Sequence, residues 1–125
     1  MLLAFSVAPS GRPPAAGPDT AHGPAATSGG PADETSVHDA VAEAVRIVRA
    51  SGLPNHTDSM FTTIEGEWDE VFAVVKQATE AVGRYGSRVS LVIKADIRPG
   101  YSGELSGKLD RLEKAIGASR EPGRA

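Results

Sequence analysis

The densest group of residues that could bind a charged ligand lies between Thr57 and Phe72. This stretch holds five carboxylates and no Lys or Arg, and Trp68, the only tryptophan of the chain, lies among them. Carboxylates beside an aromatic ring suit an organic cation, because Coulomb attraction and cation–π contact then act together. In the alternative interpretation, the carboxylates favour the start of a helix and Trp68 packs on the core. The five carboxylates are Asp58, Glu65, Glu67, Asp69 and Glu70.

Residues that could catalyse a reaction form no recognisable arrangement. No two of His22, His38 and His56 stand at metal-ligand spacing, and the chain has no cysteine. The lack of cysteine excludes a thiol nucleophile, a disulfide scaffold and a zinc finger. Ser6 and Ser90 lack the glycines that flank a hydrolase nucleophile. We therefore expect no catalytic residue, no metal site and no cofactor, so that the protein is not an enzyme.

Composition indicates one small, slightly acidic protein. The chain has 125 residues, with 13 Lys plus Arg against 16 Asp plus Glu and a net charge of −3. Without a basic block it is a poor candidate for nucleic acid binding, and no apolar run approaches the roughly 18 residues that span a membrane. The segment 1–9 resembles a short signal peptide but has no basic residue before Arg12. We interpret it as a buried first strand and expect a cytoplasmic protein.

A long segment of low complexity interrupts the ordered part of the chain. Residues 9–35 hold six prolines and five glycines, and no Val, Ile, Leu, Met or aromatic residue. Such a segment buries too little apolar surface to offset the entropy lost on ordering. We predict that it is a flexible loop inserted into a single domain of residues 1–117, and that 118–125 form a disordered tail.

Hydrophobic periodicity predicts four strands and three helices. The expected strands are 2–8, 55–60, 61–65 and 88–97. One helix is expected after the N-cap Ser36, a second begins with the acidic residues 67–70, and a third covers about 104–116. The apolar stripe of the first helix is Val37, Val41, Ala44 and Val48, and that of the last is Leu105, Leu109, Leu112 and Ile116.

The order β-α-β-β-α-β is that of a ferredoxin-like α+β fold, here with an additional C-terminal helix, in which two helices cover one face of a four-stranded antiparallel sheet. Alternation along the strands assigns side chains to the two faces. The residues expected to face the helices are Leu3, Phe5, Val7, Met60, Ile64, Val89, Leu91 and Ile93. On the uncovered face, Ser6 and Thr63 of the two central strands should lie near each other. Glu65, Lys94 and Asp96 share that face, which is therefore a candidate surface for binding a ligand or a partner sheet.

Several segments resemble the small thiamine-binding protein family. The most specific is Met60–Val71, with the sequence MFTTIEGEWDEV. The segments Leu3–Pro9, Val41–Val45 and Ser90–Arg98 also fit the pattern of the family, so the resemblance covers the chain apart from the inserted loop and the tail. The long insertion after Pro9 is a departure, because members of the family usually have a short loop there.

The resemblance implies a ferredoxin-like fold assembled into homodimers or homotetramers through sheet contacts. It also implies binding of thiamine or its hydroxymethylpyrimidine half without catalysis, for storage, sensing or delivery. In this view Glu65 meets the positive charge or the amino group of the ligand, and Thr63 and Ser6 hydrogen-bond to the pyrimidine ring. Lys94 and Asp96 shape the far wall of the site or pair with each other.

Two other functions stay open on the sequence alone. A structural or regulatory module could use the uncovered face only for self-association, and it would form a stable oligomer that ignores thiamine. An enzyme acting on a thiamine-like compound would release a product, and the substitution Glu65→Gln would abolish that release.

Overall fold

The computed structural model describes residues 1–13 and 34–119. The elements in chain order are β1 (Leu2–Ser10), α1 (Glu34–Ala50), β2 (Asn55–Thr57), β3 (Thr62–Glu65), α2 (Trp68–Val82), β4 (Arg88–Asp96) and α3 (Glu104–Ser119). Three of them extend into segments predicted to be irregular, because β1 continues to Ser10, α1 begins at Glu34 and α3 ends at Ser119. Most of the predicted loop and tail, residues 14–33 and 120–125, lies outside the described residues.

The four strands form one sheet in the order β2-β3-β1-β4, and each neighbouring pair is antiparallel. The first and third strands therefore occupy the centre of the sheet, as the sequence predicts. Together with the chain order β1-α1-β2-β3-α2-β4, this strand order defines the ferredoxin-like α+β fold. The predicted fold class is confirmed.

The core lies between the sheet and the helices α1 and α2. Leu3, Phe5 and Val7 alternate along β1 and are buried as predicted, with Ile64 of β3 beside them. The helices contribute mostly small and β-branched residues: Ala40, Ala44 and Val48 from α1, and Val71, Val74, Val75, Ala78 and Val82 from α2. Each buried Val, Leu or Phe side chain contributes about 1.5–3 kcal/mol through the removal of apolar surface from water. This layer is therefore the main source of hydrophobic stabilisation.

Two predictions about α1 and one about β3 are wrong. Val41 is 39% exposed, because the helix turns Ala40 toward the core in its place, whereas Ala44 and Val48 of the predicted stripe are buried as expected. Ser36 is not the N-cap, since α1 already begins two residues earlier. Met60 is 72% exposed because it lies in the turn before β3 and not in a strand.

The helix-facing side of β4 is less covered than predicted. Leu91 and Ile93 are 38% and 39% exposed, because α2 packs beside β1 and leaves the edge strand partly bare. An apolar groove of about 300 Å³ separates these two residues from Phe72 and Val75 of α2. Val89, nearer the start of the strand, packs against the core as expected.

The turn between β2 and β3 makes both strands shorter than predicted. Asp58 Oδ1 accepts hydrogen bonds from the backbone N–H groups of Met60 at 2.8 Å and Phe61 at 2.9 Å. Aspartate favours turns through this type of local hydrogen bond. The two backbone donors lower the pKa of the Asp58 carboxyl below its ordinary value. This turn therefore sets how β2 and β3 pair.

Candidate functional site

The face of the sheet that α1 and α2 leave uncovered is called the open face below. Leu3 and Phe5 point to the helices, and so their neighbours in β1 point to the open face. Leu2 is opposed by Glu65 of β3 and by Asp96 of β4. Directly opposed residues of antiparallel strands share a face. Both carboxylates therefore lie on the open face.

The other three residues predicted to bind a ligand lie on the same face. Ala4 is opposed by Thr63 and by Lys94, and Ser6 lies two residues further along β1. Ser6 and Thr63 are therefore diagonal neighbours, with about 7–8 Å expected between their Cα atoms. Ser6 and Thr63 are half-buried, whereas Lys94 is exposed. The fold thus gathers the five residues on one face, while their roles in binding stay predictions.

The first turns of α3 cover one end of the open face. Glu65 Oε2 accepts a hydrogen bond from the backbone N–H of Glu104 at 2.8 Å, and Oε1 accepts one from Leu105 at 3.2 Å. In the next turn, Lys108 forms an ion pair with Asp96. The periodicity of the sequence predicts α3 but not where it packs, and so these contacts appear only in the structure.

Glu65 stabilises the start of α3. The first N–H groups of a helix have no partner inside the helix, and its N-terminus carries a partial positive charge. The Glu65 carboxylate accepts two of these N–H groups and places a negative charge at the N-terminus of α3, and it is itself only 8% exposed. The side chain expected to meet a ligand therefore has both oxygens engaged with the protein.

A cavity of about 640 Å³ lies between α3 and the open face, a volume typical of small-molecule sites. Its sheet side is lined by Leu2, Asn55, His56, Asp58 and Thr63, and its helix side by Glu104, Leu105, Ser106, Lys108 and Leu109. Three leucines supply apolar surface, while hydroxyl, imidazole, carboxylate and ammonium groups surround the same space. Such a lining can cover a flat ring and hydrogen-bond to its polar edge.

The helix side of the cavity carries both signs of charge. The Glu104 side chain is only 10% exposed, and its Oε2 accepts a hydrogen bond from Arg111 Nη2 at 2.8 Å. The Lys108 ammonium holds the pKa of the Asp96 carboxyl below its ordinary value, mainly through their hydrogen bond. A ligand in the cavity therefore meets an anionic group and a cationic group on the same helix.

Among the five predicted residues, Thr63 alone lines the cavity. Glu65 and Asp96 hold α3 in place, and Ser6 and Lys94 lie farther along the open face. The sequence interpretation missed His56, which it treated as solvated or structural. β2 and β3 pair so that His56 opposes Thr63. It also missed Glu104 and Lys108, because no local pattern indicates how a terminal helix packs on a sheet.

Trp68 lies neither in the core nor in this cavity. It is 53% exposed, and its ring stacks on Phe72 with 5.1 Å between the centroids and 11° between the planes. Beside it, Glu67 and Glu70 form a capping box, in which the Glu67 N–H donates to Glu70 Oε1 at 3.1 Å. These carboxylates thus serve the start of α2, as the alternative interpretation of the sequence states, whereas its placement of Trp68 in the core is wrong.

In residues 1–13 and 34–119, no three His, Cys, Asp or Glu side chains are grouped so that they could hold a metal ion. None of the helices in the same ranges combines the length and apolar character that crossing a bilayer requires.

The fold and the cavity define a class: a small ferredoxin-like α+β protein with a ligand-sized space between its open sheet face and a terminal helix. Comparison with known families narrows the class. The family model described as Thiamine-binding protein matches residues 26–113. The chain therefore belongs to the thiamine-binding protein family, which confirms the resemblance seen in the sequence. The family is named for binding, and its name specifies no reaction.

Curated relatives carry family numbers instead of functional names. The UPF0045 protein Mb1933 of Mycobacterium bovis is 52% identical over 81 residues, which make up 64% of this chain and 79% of the relative. The UPF0045 protein sll0230 of Synechocystis is 42% identical over 52 residues, 42% of this chain and 43% of the relative. Neither name specifies a ligand or a reaction.

Solved structures share the fold. A domain of unknown function, DUF77, from Bacillus cereus is 26% identical, with a TM-score of 0.59 and 83% of each chain covered. A hypothetical protein of Methanocaldococcus jannascii reaches a TM-score of 0.65 at 22% identity, covering 90% of this chain and 95% of that one. A Thermotoga maritima protein provisionally assigned to thiamine biosynthesis or salvage has a TM-score of 0.57 at 17% identity, covering 90% and 99%. The last two support the fold alone.

Proposed function

We propose that this protein reversibly binds thiamine or its hydroxymethylpyrimidine half, and that it catalyses no reaction. The observation that carries the proposal is the cavity of about 640 Å³ between the open face and α3, in a chain that belongs to the thiamine-binding protein family. Storage, sensing and delivery of the vitamin in the cytoplasm all need binding that is reversible and leaves the ligand unchanged.

The chemistry of the cavity lining suits both halves of thiamine. The aminopyrimidine ring is flat and has hydrogen-bond donors and acceptors on its edge, which the Thr63 hydroxyl and the His56 imidazole opposite it can meet. The thiazolium ring carries a permanent positive charge, for which the carboxylates of Asp58 and Glu104 in the cavity lining supply negative charge, that of Glu104 being shared with Arg111. The leucines of the cavity cover the ring faces and exclude water from them.

The five residues predicted from the sequence take two kinds of role in this proposal. Thr63 contacts the ligand inside the cavity, and Ser6 with Lys94 extends the polar surface of the open face next to it. Glu65 and Asp96 hold α3 against the sheet through two hydrogen bonds and an ion pair. The second pair therefore shapes the site without occupying it.

We also propose that the protein forms homodimers or homotetramers. β4 is an edge strand of nine residues, and an unprotected edge offers backbone groups that pair readily with another strand. Leu91, Val92 and Ile93 on its two faces are 38%, 52% and 39% exposed, and exposed apolar patches mark association surfaces. Sedimentation velocity tests this part, and a monomer at all micromolar concentrations would contradict it.

Calorimetric titration with thiamine and with hydroxymethylpyrimidine tests the ligand. We expect binding heat with the wild-type protein and roughly tenfold weaker binding with Thr63→Val, which deletes a hydrogen bond inside the cavity. The matched control is Thr79→Val, because the Thr79 hydroxyl donates to the Val75 carbonyl within α2, away from the cavity. No heat with the wild-type protein at millimolar ligand would refute the proposal.

Recovery of the ligand separates binding from catalysis. Thiamine incubated with the protein should be recovered intact, as mass spectrometry can establish. A product that accumulates with the wild-type protein and disappears with Thr63→Val would identify an enzyme instead.

One observation favours a self-associating module without a ligand. Leu109 and Leu112 of α3 are 62% and 53% exposed and follow the helix period, with Ile116 one turn further at 38%. This second function predicts a stable oligomer that takes up no thiamine, and so the same titration and sedimentation measurements distinguish it from the first.

A further inference from the structure

We propose that Glu65 acts on the ligand through α3 and does not touch it. In this role Glu65 is a positioning residue that holds α3 as one wall of the cavity, a wall that can leave the sheet. The inference rests on the function proposed above and adds a coupling to it. Docking of α3 and binding of the ligand then stabilise each other.

The hydrogen bonds of Glu65 tie the sheet to the first two residues of α3. The backbone N–H groups of Glu104 and Leu105 donate to its two carboxylate oxygens at 2.8 and 3.2 Å. Both donors would lack a partner within the helix. Because Glu65 is 8% exposed, these hydrogen bonds are largely shielded from water and are harder to replace than surface contacts.

Apart from its first turn, α3 is held loosely. Glu104 is the one fully buried residue among its described side chains, and the residues from Lys108 to Ala118 are all exposed. The ion pair between Lys108 and Asp96 lies at the surface, where such pairs contribute little to stability. A helix that buries so few apolar contacts opens more easily than α1 or α2.

The segment that leads into α3 can change direction without disturbing the core. Gly100 and Gly103 have positive φ angles of 82° and 69°, which glycine adopts without a steric penalty. No atom beyond the adjacent residues of the chain lies within 4 Å of the position that a Cβ would take at either glycine. Rotation at these two positions therefore moves α3 relative to the sheet and leaves α1 and α2 in place.

The cavity depends on the docked position of α3. Five of its ten lining residues belong to that helix, and without them the Thr63 side of the site faces open solvent. A ligand that contacts both walls binds the docked form better. By linkage, it must shift the population toward that form.

Direct contact between Glu65 and the ligand would have the opposite consequence. Glu65 is only 8% exposed beneath the first turn of α3 and does not line the cavity. A donor on the ligand could therefore reach its oxygens only by displacing the N–H groups of Glu104 and Leu105. Binding would then release α3 from the sheet. The direction in which thiamine changes the docking of α3 therefore separates the two roles of Glu65.

Amide hydrogen exchange at Glu104 and Leu105, measured by NMR on the full chain, reports the docking of α3. With thiamine at ten times its dissociation constant, we expect exchange at both amides to slow by about tenfold. Without ligand, Glu65→Gln should speed exchange at both, because the side-chain amide offers one acceptor oxygen in place of two. The same variant should bind thiamine about tenfold more weakly. Glu113→Gln, an exposed change on α3, is the matched control and should alter neither quantity.

The possible outcomes separate this inference from the proposed function. Faster exchange on addition of thiamine, or unchanged affinity in Glu65→Gln, overturns the inference and leaves thiamine binding intact. A wild-type protein that binds no thiamine overturns the proposed function and the coupling together. Unchanged exchange in ligand-free Glu65→Gln would show that Glu65 does not hold α3. If Glu65→Gln fails to fold by circular dichroism, Glu65→Asp serves the same comparison, because its shorter side chain reaches fewer of the two donors.

Discussion

The two faces of the sheet hold their helices by different forces. On the covered face, Leu3, Ile64 and Val71 are completely buried, and α1 and α2 stay in place because apolar surface is removed from water. On the open face, Glu65 and Asp96 hold α3 through backbone N–H groups and an ammonium. Apolar packing gives a rigid support, whereas a few directional polar contacts give a wall that can open. The candidate site lies on the side that can move.

The largest effect should come from a change on the covered face. Leu3→Ala creates a cavity at a residue that is 0% exposed, and we expect the free energy of unfolding to fall by about 2–5 kcal/mol. Urea denaturation followed by circular dichroism measures this loss. Leu109→Ala removes the same atoms from a side chain on α3 that is 62% exposed, and it should change the free energy of unfolding by no more than about 0.5 kcal/mol. Equal losses would mean that α3 packs as firmly as the core.

A smaller effect should follow when acid weakens the ion pair between Lys108 of α3 and Asp96. Lys108 holds the pKa of Asp96 below the ordinary value of 3.8. A carboxyl whose pKa is depressed by folding contributes stability that is complete above 3.8 and is lost as the pH falls through the folded pKa. The NMR shifts of the α3 amides should therefore titrate below pH 3.8.

Two variants assign that titration to its carboxyl group. Asp96→Asn should abolish it, because the amide cannot ionise. Asp110→Asn, an exposed change on α3, should leave the titration unchanged. If the titration persisted in Asp96→Asn, the ion pair with Lys108 would not be what holds this part of α3.

The smallest effect should come from a polar contact on the covered face. The Tyr85 hydroxyl donates to Glu43 Oε2 at 2.8 Å, which ties the segment after α2 to α1 and raises the pKa of Tyr85 above 10.0. A raised folded pKa means stability that is present below 10.0 and lost as the pH rises through the folded value. Tyr85→Phe should therefore lower the Tm slightly at pH 7 and no longer lower it once the wild-type hydroxyl has ionised.

The control for this last change is Tyr101→Phe, because Phe preserves the ring that lies 3.6 Å from the Arg98 guanidinium. It should leave the Tm as it is at every pH. A Tyr85→Phe protein as stable as the wild type at pH 7 would mean that this hydrogen bond contributes nothing to the covered face.

Residues in regular alternation were predicted well, and residues at the ends and edges of elements were not. Leu3, Phe5 and Val7 are buried as expected, since a strand places every second side chain on one face. Met60 is exposed because a turn begins where the alternation predicts that the strand continues. Leu91 is exposed because α2 does not reach over the edge strand β4. Alternation states which face a residue belongs to, but not whether another element covers that face.

By itself, the sequence determined the order of the elements, the face on which Ser6, Thr63 and Glu65 lie, and the family to which the chain belongs. Those features follow from periods of two or 3.6 residues and from a contiguous motif, all of which act over a short stretch of chain. Only the tertiary structure decided where α3 packs, and with it the cavity and the engagement of Glu65. The contacts responsible join residues 39 and 40 positions apart, and such contacts depend on how whole elements meet in space, which no local pattern encodes.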